Sequence, residues 1–328
     1  MGYSLNLNQT EEEQKNMSTF SYYNYQFSRL VPSLSVQEEF STTTVSTTVH
    51  ADGNFARKQE ILSEILAADS DGSRKIVFRS PRGKKRHLHS YLVPYADGMA
   101  VMKISNRRAH VVEKEDFTKE THDEFPSCIV VIDNRPGIQR IVIEKRALAF
   151  AGVDQVQGIL QSTLRRLLRP YGLSVSIDQL HTRSAFWDVA NDAGRYPLGF
   201  RRISFRLPHL NLERLRKAME SYMTMARESY GSDLSWSQES VKGGRLKLDE
   251  NDTFQASLVG ALMEEVGGNN VITLLPNGKG RKPVHVGKDN YLTGDIAADV
   301  FDRLAESDSA GRDEAMERIK AFTSRFID

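Results

Sequence analysis

Hydrophobic residues in this chain fall into short alternating runs more often than into long helical stripes. Residues 22–30 are rich in aromatics and predict a strand. Residues 41–48 hold seven Ser/Thr in eight, a composition that fits a linker or an exposed edge strand. Residues 56–67 carry Ile61, Ile65 and Leu66 at helical spacing, with Asn54 placed to act as an N-cap. Four short runs then read as strands, at 75–79, 87–93, 99–104 and 109–113. Asp97-Gly98 makes a hairpin turn between the second and third.

The clearest unit is a hairpin over residues 128–145. Pro136-Gly137 suits the two central positions of a type II turn, which pairs Arg135 with Ile138 and fixes the register. Cys128, Val130 and Ile132 then oppose Lys145, Ile143 and Ile141, while Ile129, Val131 and Asp133 oppose Glu144, Val142 and Arg140. Both faces are largely apolar, which places the hairpin inside its sheet.

A helix over 154–169 follows, with Val156, Ile159, Leu160, Thr163, Leu164, Leu167 and Leu168 as its apolar stripe. Pro170-Tyr171-Gly172 stops it. Residues 173–178 alternate as a half-buried strand, and residues 201–207 put Ile203 and Phe205 inward and Arg202 and Arg206 outward. Helices are expected at 211–226 and 253–266, a hairpin around 276–280, and an acidic helix at the C-terminus. Phe186-Trp187 reads as the core anchor of a short helix.

Strands adjoin strands more often than they alternate with helices, so the fold class is α+β. It is a mixed or antiparallel sheet built from hairpins, with amphipathic helices packed on it. The expected organisation is a disordered tail at 1–20, a main domain at 21–231 with a basic middle, and a smaller C-terminal α+β region at 245–328. A soft boundary at 232–244 separates the last two.

Composition narrows the class. With 39% hydrophobic and 27% charged residues in 328, a collagen-like, coiled-coil or wholly disordered chain is excluded. A single cysteine, Cys128, rules out a disulfide framework and any multi-thiolate metal site, and its apolar setting marks a buried, inert thiol. The N-terminal residues lack the basic and apolar regions of a secretory signal. The Met-Gly opening hints at myristoylation, but Asn6 stands where that signal wants Ser or Thr. No apolar run approaches the roughly 18 residues of a membrane span. The expectation is a cytoplasmic protein with no membrane contact.

Charge changes the picture more. The formal net charge is only +1, yet residues 74–217 carry a net +13 between two ends at −6 each. Seven cations lie in residues 74–86, and no acidic residue occurs between Asp71 and Asp97. Ser80-Pro81 and Gly83 turn residues 82–86 into a loop, so Arg79, Arg82, Lys84, Lys85 and Arg86 can converge on phosphates. Arg202 and Arg206 are a possible continuation, and Tyr91, Tyr95 and Phe200 could stack on bases near such a surface. A solvated loop that only adds solubility, or a nuclear-import signal, shares this composition.

Other chemistry is thinly supported. His87 and His89 have the spacing of two metal ligands on one strand face, but no third ligand is identifiable. Asp133 and Glu144-Lys145 resemble the carboxylates of a metal-dependent nuclease. The hairpin register sets Asp133 and Glu144 about 13 Å apart, too far to share one ion. An ion pair between Asp133 and Arg140 across the strands explains the aspartate better. Phosphate-loop, dinucleotide, nucleophile-elbow and zinc-protease motifs do not occur. No metal and no cofactor is expected, and no catalytic residue can be named.

The sequence thus predicts a nucleic-acid- or polyanion-binding protein, non-catalytic, using the basic loop for phosphate contacts. The first alternative is an interaction subunit whose basic surface docks an acidic protein partner, or the acidic tail of another copy in a homo-oligomer. The second is a metal-dependent nuclease with no recognisable motif.

Overall fold

The computed structural model describes residues 17–30, 53–81, 85–207, 234–268, 271–287, 290–304 and 308–326. The predicted linker at 41–48 and helix at 211–226 lie outside them, as do Arg82 and Lys84 of the basic loop.

Strand β1 (Met17–Arg29) organises the larger of the sheets because it is buried on both faces. Phe20 and Tyr22 point to one side, and Tyr23, Tyr25 and Phe27 to the other. Along one edge β1 pairs with β9 (Arg140–Glu144). Along the other it pairs first with β15 (Thr293–Ala297) and then with β10 (Leu173–Gln179). Beyond β9 the sheet continues through β8 (Ser127–Asp133), β5 (Met99–Ser105) and β4 (His89–Ala96). Every pairing is antiparallel, and the class is α+β. Strand β1 starts at Met17, inside the span expected as a tail.

The 128–145 hairpin has the predicted register, with Val130 opposite Ile143 and Asp133 opposite Arg140. Its turn closes as expected, Ile138 donating to the Arg135 carbonyl at 3.1 Å with Gly137 at a φ of 81°. The β4–β5 turn has positive φ at both Asp97 and Gly98, as a tight hairpin turn requires. Both β8 and β9 lie inside the sheet and bury both faces, including Cys128, whose thiol burial pushes up to about 12.

Helices cover the sheet on both sides. Helices α1 (Lys58–Ser70) and α2 (Val153–Leu168) close the face that carries Tyr23, Tyr25 and Phe27. The stripe of α2 is buried as predicted. Asn54, expected to cap α1, instead donates to the Tyr171 carbonyl at 3.1 Å, and α1 begins after Arg57 without a side-chain cap. This contact ties the start of α1 to the end of α2 and takes the side chain away from the helix amides. The opposite face is covered over Phe20, Tyr22, Val101, Val131 and Val142 by α5 (Asp299–Arg303) and α6 (Ser309–Thr323). A two-stranded hairpin, β6 (Arg108–Glu113) with β7 (Lys119–Glu124), stands out from the sheet with nearly every residue exposed.

A four-stranded sheet forms a second core, in the order β12 (Leu234–Glu239), β11 (Phe200–Leu207), β13 (Ile272–Pro276), β14 (Val284–His285). Helix α3 (Ser184–Ala190), carrying Phe186 and Trp187, packs on it with α4 (Thr253–Ala261). Residues 232–244, expected as a soft boundary, include β12, which pairs with β11 from the preceding segment. Strand β15 and helix α6, from the expected C-terminal region, belong to the large sheet and its cover.

One buried ion pair pins α6 to that sheet. Asp133 is fully buried, and its carboxylate takes the Arg135 fork at 2.9 and 2.6 Å and the Thr323 hydroxyl at 2.5 Å. Arg135 also donates to the Lys320 carbonyl at 3.1 Å. The predicted Asp133–Arg140 register is therefore present, but the predicted ion pair is not. Arg135 reaches the carboxylate from the turn first. Arg135→Ala strands a buried carboxylate and should cost about 3 kcal/mol, read from urea unfolding. Removing the carboxylate as well, in Asp133→Asn/Arg135→Ala, should recover part of that loss.

Candidate functional site

The basic loop is built on a short hairpin, β2 (Phe78–Arg79) with β3 (Arg86–His87). Phe78 and His87 are buried and face each other, which leaves Arg79 and Arg86 as the next pair outward. Helix α2 clamps the hairpin. The Ser162 hydroxyl donates to the Arg79 carbonyl at 2.9 Å, the Arg79 amide to Thr163 Oγ1 at 3.2 Å, and Arg166 to the Val77 carbonyl at 2.6 Å. Lys85 Nζ reaches the Arg107 carbonyl at 3.1 Å.

Of the sequence-predicted residues, Arg79, Lys85 and Arg86 share one rim. Arg166 and Arg107, from two other basic groups of the sequence, join them. Among the described residues, Arg79, Lys85, Arg86 and Arg166 make no ion pair, while Arg107 is paired with Asp123 at 2.8 Å. Arg202 and Arg206 lie elsewhere, on β11 of the second sheet, and Arg202 is held by Glu239 across the strands at 2.7 Å. No described contact joins them to the hairpin rim.

The expected stacking residues are committed to packing. Phe200 is buried in the second core. Tyr91 and Tyr95 pack against the first, and Tyr95 shares a 2.6 Å hydrogen bond with Ser63. The two histidines also have separate partners. His87 Nδ1 lies 3.2 Å from the Ser105 carbonyl, and His89 Nε2 lies 2.7 Å from Asp69 Oδ2. Burial alone would raise the Asp69 carboxyl, but His89 and the Ile76 amide hold it below its ordinary value. Among the described residues no group of three His, Cys, Asp or Glu side chains could hold a metal ion. No described helix is long and apolar enough to cross a membrane.

A second polar constellation lies on the large sheet. The face of β1 that begins with Phe20 and Tyr22 continues as Asn24, Gln26 and Ser28. These stand opposite Asp178, Ser176 and Ser174 of β10, and Asn24 also stands opposite Arg140 of β9. Where α6 stops covering this face, the segment after α4 takes over. Its π-turn (Leu262–Val266) turns both Glu264 and Glu265 inward. Arg183 grips Glu264 at 3.0 and 2.9 Å. The Asn24 amide donates to the Glu265 carbonyl, and Gly268 N donates to the Gln179 carbonyl at 2.8 Å. Gly267, at a φ of 70°, passes so close to the Gln179 carbonyl that a Cβ there would overlap it.

Comparison with family models, with curated proteins and with solved structures finds no match for the chain. Its residues carry the functional argument by themselves.

Arg140 lies at the centre of the polar floor and is 2% exposed. Burial pulls its guanidinium down to about 10, against the opposing pull of Tyr22, Glu265, Asp133 and Glu264. It stays charged at neutral pH. Glu144, the other carboxylate considered for a nuclease, is engaged at the far end of the strand. It accepts from the Ser18 hydroxyl at 3.2 Å and the Ile129 amide at 2.9 Å. A separate cavity of about 370 Å³ opens between β11, β12 and α4, lined by Phe186, Phe205, Trp236, Leu246, Phe254 and Leu258 among others.

His87, under the basic hairpin, and His181, where the two sheets meet, are both held below the ordinary imidazole value by burial. Both are neutral in the folded chain at neutral pH, so the unfolded chain takes up protons first as pH falls. Their contribution is intact above the unfolded value of about 6.5. Below it, stability should fall by about 1.4 kcal/mol per pH unit for each histidine, until the folded value is reached. Urea midpoints at pH 7.5 and 5.5 measure this, and His181→Gln should flatten the slope.

Proposed function

We propose that the protein binds a polyanion, with nucleic acid the favoured ligand, through the rim formed by Arg79, Lys85, Arg86 and Arg166. Support comes from one observation above the others. Three cations on a hairpin, and a fourth on the helix that clamps it, have no carboxylate partner among the described residues. In the sequence Arg82 and Lys84 lie between the two strands of this hairpin and add to its positive charge. Contacts of this kind hold phosphates and position the ligand, and they confer no base preference by themselves.

A second reading is the docking of an acidic protein on the same rim. It is favoured by the exposed β6–β7 hairpin, which adjoins the rim through Arg107 and leaves Val111 and Phe117 uncovered, Phe117 at 82% exposure.

Binding of the full chain to short labelled DNA and RNA at about 50 and 200 mM salt tests the first reading. Affinity should fall steeply with salt. The variant Arg79/Lys85/Arg86/Arg166→Ala should bind weakly while staying folded, with a log–log salt slope shallower by about 3 to 4. Unchanged affinity in that variant removes the rim from the account. If neither nucleic acid binds and an acidic polypeptide such as polyglutamate does, the second reading takes its place.

A further inference from the structure

We propose that the polar floor around Arg140 is a second binding site, for a small molecule bearing a single carboxylate or phosphate group. The two faces of β1 carry the first part of the argument. One stays aromatic from Tyr23 to Phe27, while the other changes from Phe20 and Tyr22 to Asn24 and Gln26 without leaving the interior. Asn24 is 2% exposed and Gln26 3%. Amides at such positions cost free energy unless something pairs with them.

Protein groups do not pair with them here. Among the described residues, Arg140 Nε and Nη1, Gln26 Nε2 and Oε1 and Asn24 Oδ1 have no hydrogen-bond partner. The neighbours that could have served are used elsewhere. The Asp133 carboxylate belongs to Arg135 and Thr323, and the Asn24 amide nitrogen to the Glu265 carbonyl. A buried guanidinium kept only for stability is normally paired, because an uncompensated buried charge costs several kcal/mol.

The unused groups also describe the ligand. The guanidinium supplies two of the unused donors, Nε and Nη1, and its positive charge favours the oxygens of a carboxylate or phosphate. Glu265 and Asp178 lie beside the floor, and Glu264 behind Glu265. Their charge limits the site to one anionic group, which separates it from the polyanion rim. The same face runs outward along β1 and β10 to half-buried Ser28, Ser174 and Ser176.

The test uses the full chain carrying Arg79/Lys85/Arg86/Arg166→Ala, so that anions cannot act through the rim. Inorganic phosphate and acetate, each against chloride at equal ionic strength, are titrated while thermal unfolding is followed. At least one should raise the midpoint saturably. Arg140→Lys keeps the charge but loses the planar guanidinium and its Nε–H donor, and should abolish that rise. Gln26→Leu should weaken it, and it carries the test if Arg140→Lys does not fold.

Arg140→Met adds a readout that a structural arginine would not give. Without added anion its midpoint should equal or exceed that of the parent, because an unpaired buried charge has been removed. A fall on the order of ten degrees makes Arg140 a structural partner and overturns the proposal. Two further results overturn it: no midpoint rise with either anion, or the same rise in Arg140→Lys and Gln26→Leu.

Discussion

Nearly everything in the large sheet depends on a strand that is paired along both edges and packed on both faces. A strand so enclosed cannot tilt or slip, because a shift of one residue would exchange Phe20 and Tyr22 with Tyr23 and Tyr25 between two filled cores. The Tyr22 hydroxyl reaches the Phe322 carbonyl at 2.9 Å, and the Tyr25 hydroxyl reaches Asn134 at 2.5 Å, whose amide in turn donates to Gln59 and Ser63 of α1, so each face is also tied to its cover. Fully burying one such aromatic side chain is worth roughly 2 to 3 kcal/mol, and the strand carries five. The hairpin 128–145 and the helices then have one way to dock.

Against that apolar constraint, the polar half of the second face stands out physically. The second sheet is attached there through backbone contacts, His181 N to the Met263 carbonyl at 2.9 Å and Gly268 N to the Gln179 carbonyl at 2.8 Å. Apolar side chains are replaced at this junction by amides, carboxylates and two arginines, Arg140 and Arg183. A junction held by backbone hydrogen bonds over polar side chains gives up hydrophobic stabilisation that the rest of the sheet collects. Natural interiors accept that cost most readily where a site is kept.

Local rules made much of the fold legible. The turn at Asp97-Gly98, the register of 128–145 and the stripe of α2 follow from residues close together in sequence. Strand β7 was not legible, because Lys119–Glu124 is wholly polar and shows no alternation. The cap at Asn54 failed because a carbonyl more than a hundred residues away took its amide. Ion pairing at Asp133 failed for a similar reason, since a turn residue and the last helix both reach the carboxylate. The cationic loop was plain in the charge arithmetic, but Arg166 joins it only through the packing of α2. The change of β1 from Tyr22 to Asn24 and Gln26 was visible in the sequence. Its meaning depends on which layer covers that face, and a segment some 240 residues later supplies it.

The pairing of β1 with β15 has a consequence for how the chain is made. Thr19 meets Asp295 across that ladder, a separation of 276 residues. At a synthesis rate of about 5–20 residues per second, β1 leaves the ribosome roughly 14 to 55 s before that neighbour exists. Its other edge waits for β9, more than a hundred residues away. Until β9 and then β10 are made, the most aromatic strand of the protein has both edges open, a template for pairing with the wrong chain. Expression that slows elongation should therefore lengthen the period in which the nascent protein is most prone to aggregate, and chaperone demand should fall on the first half of translation.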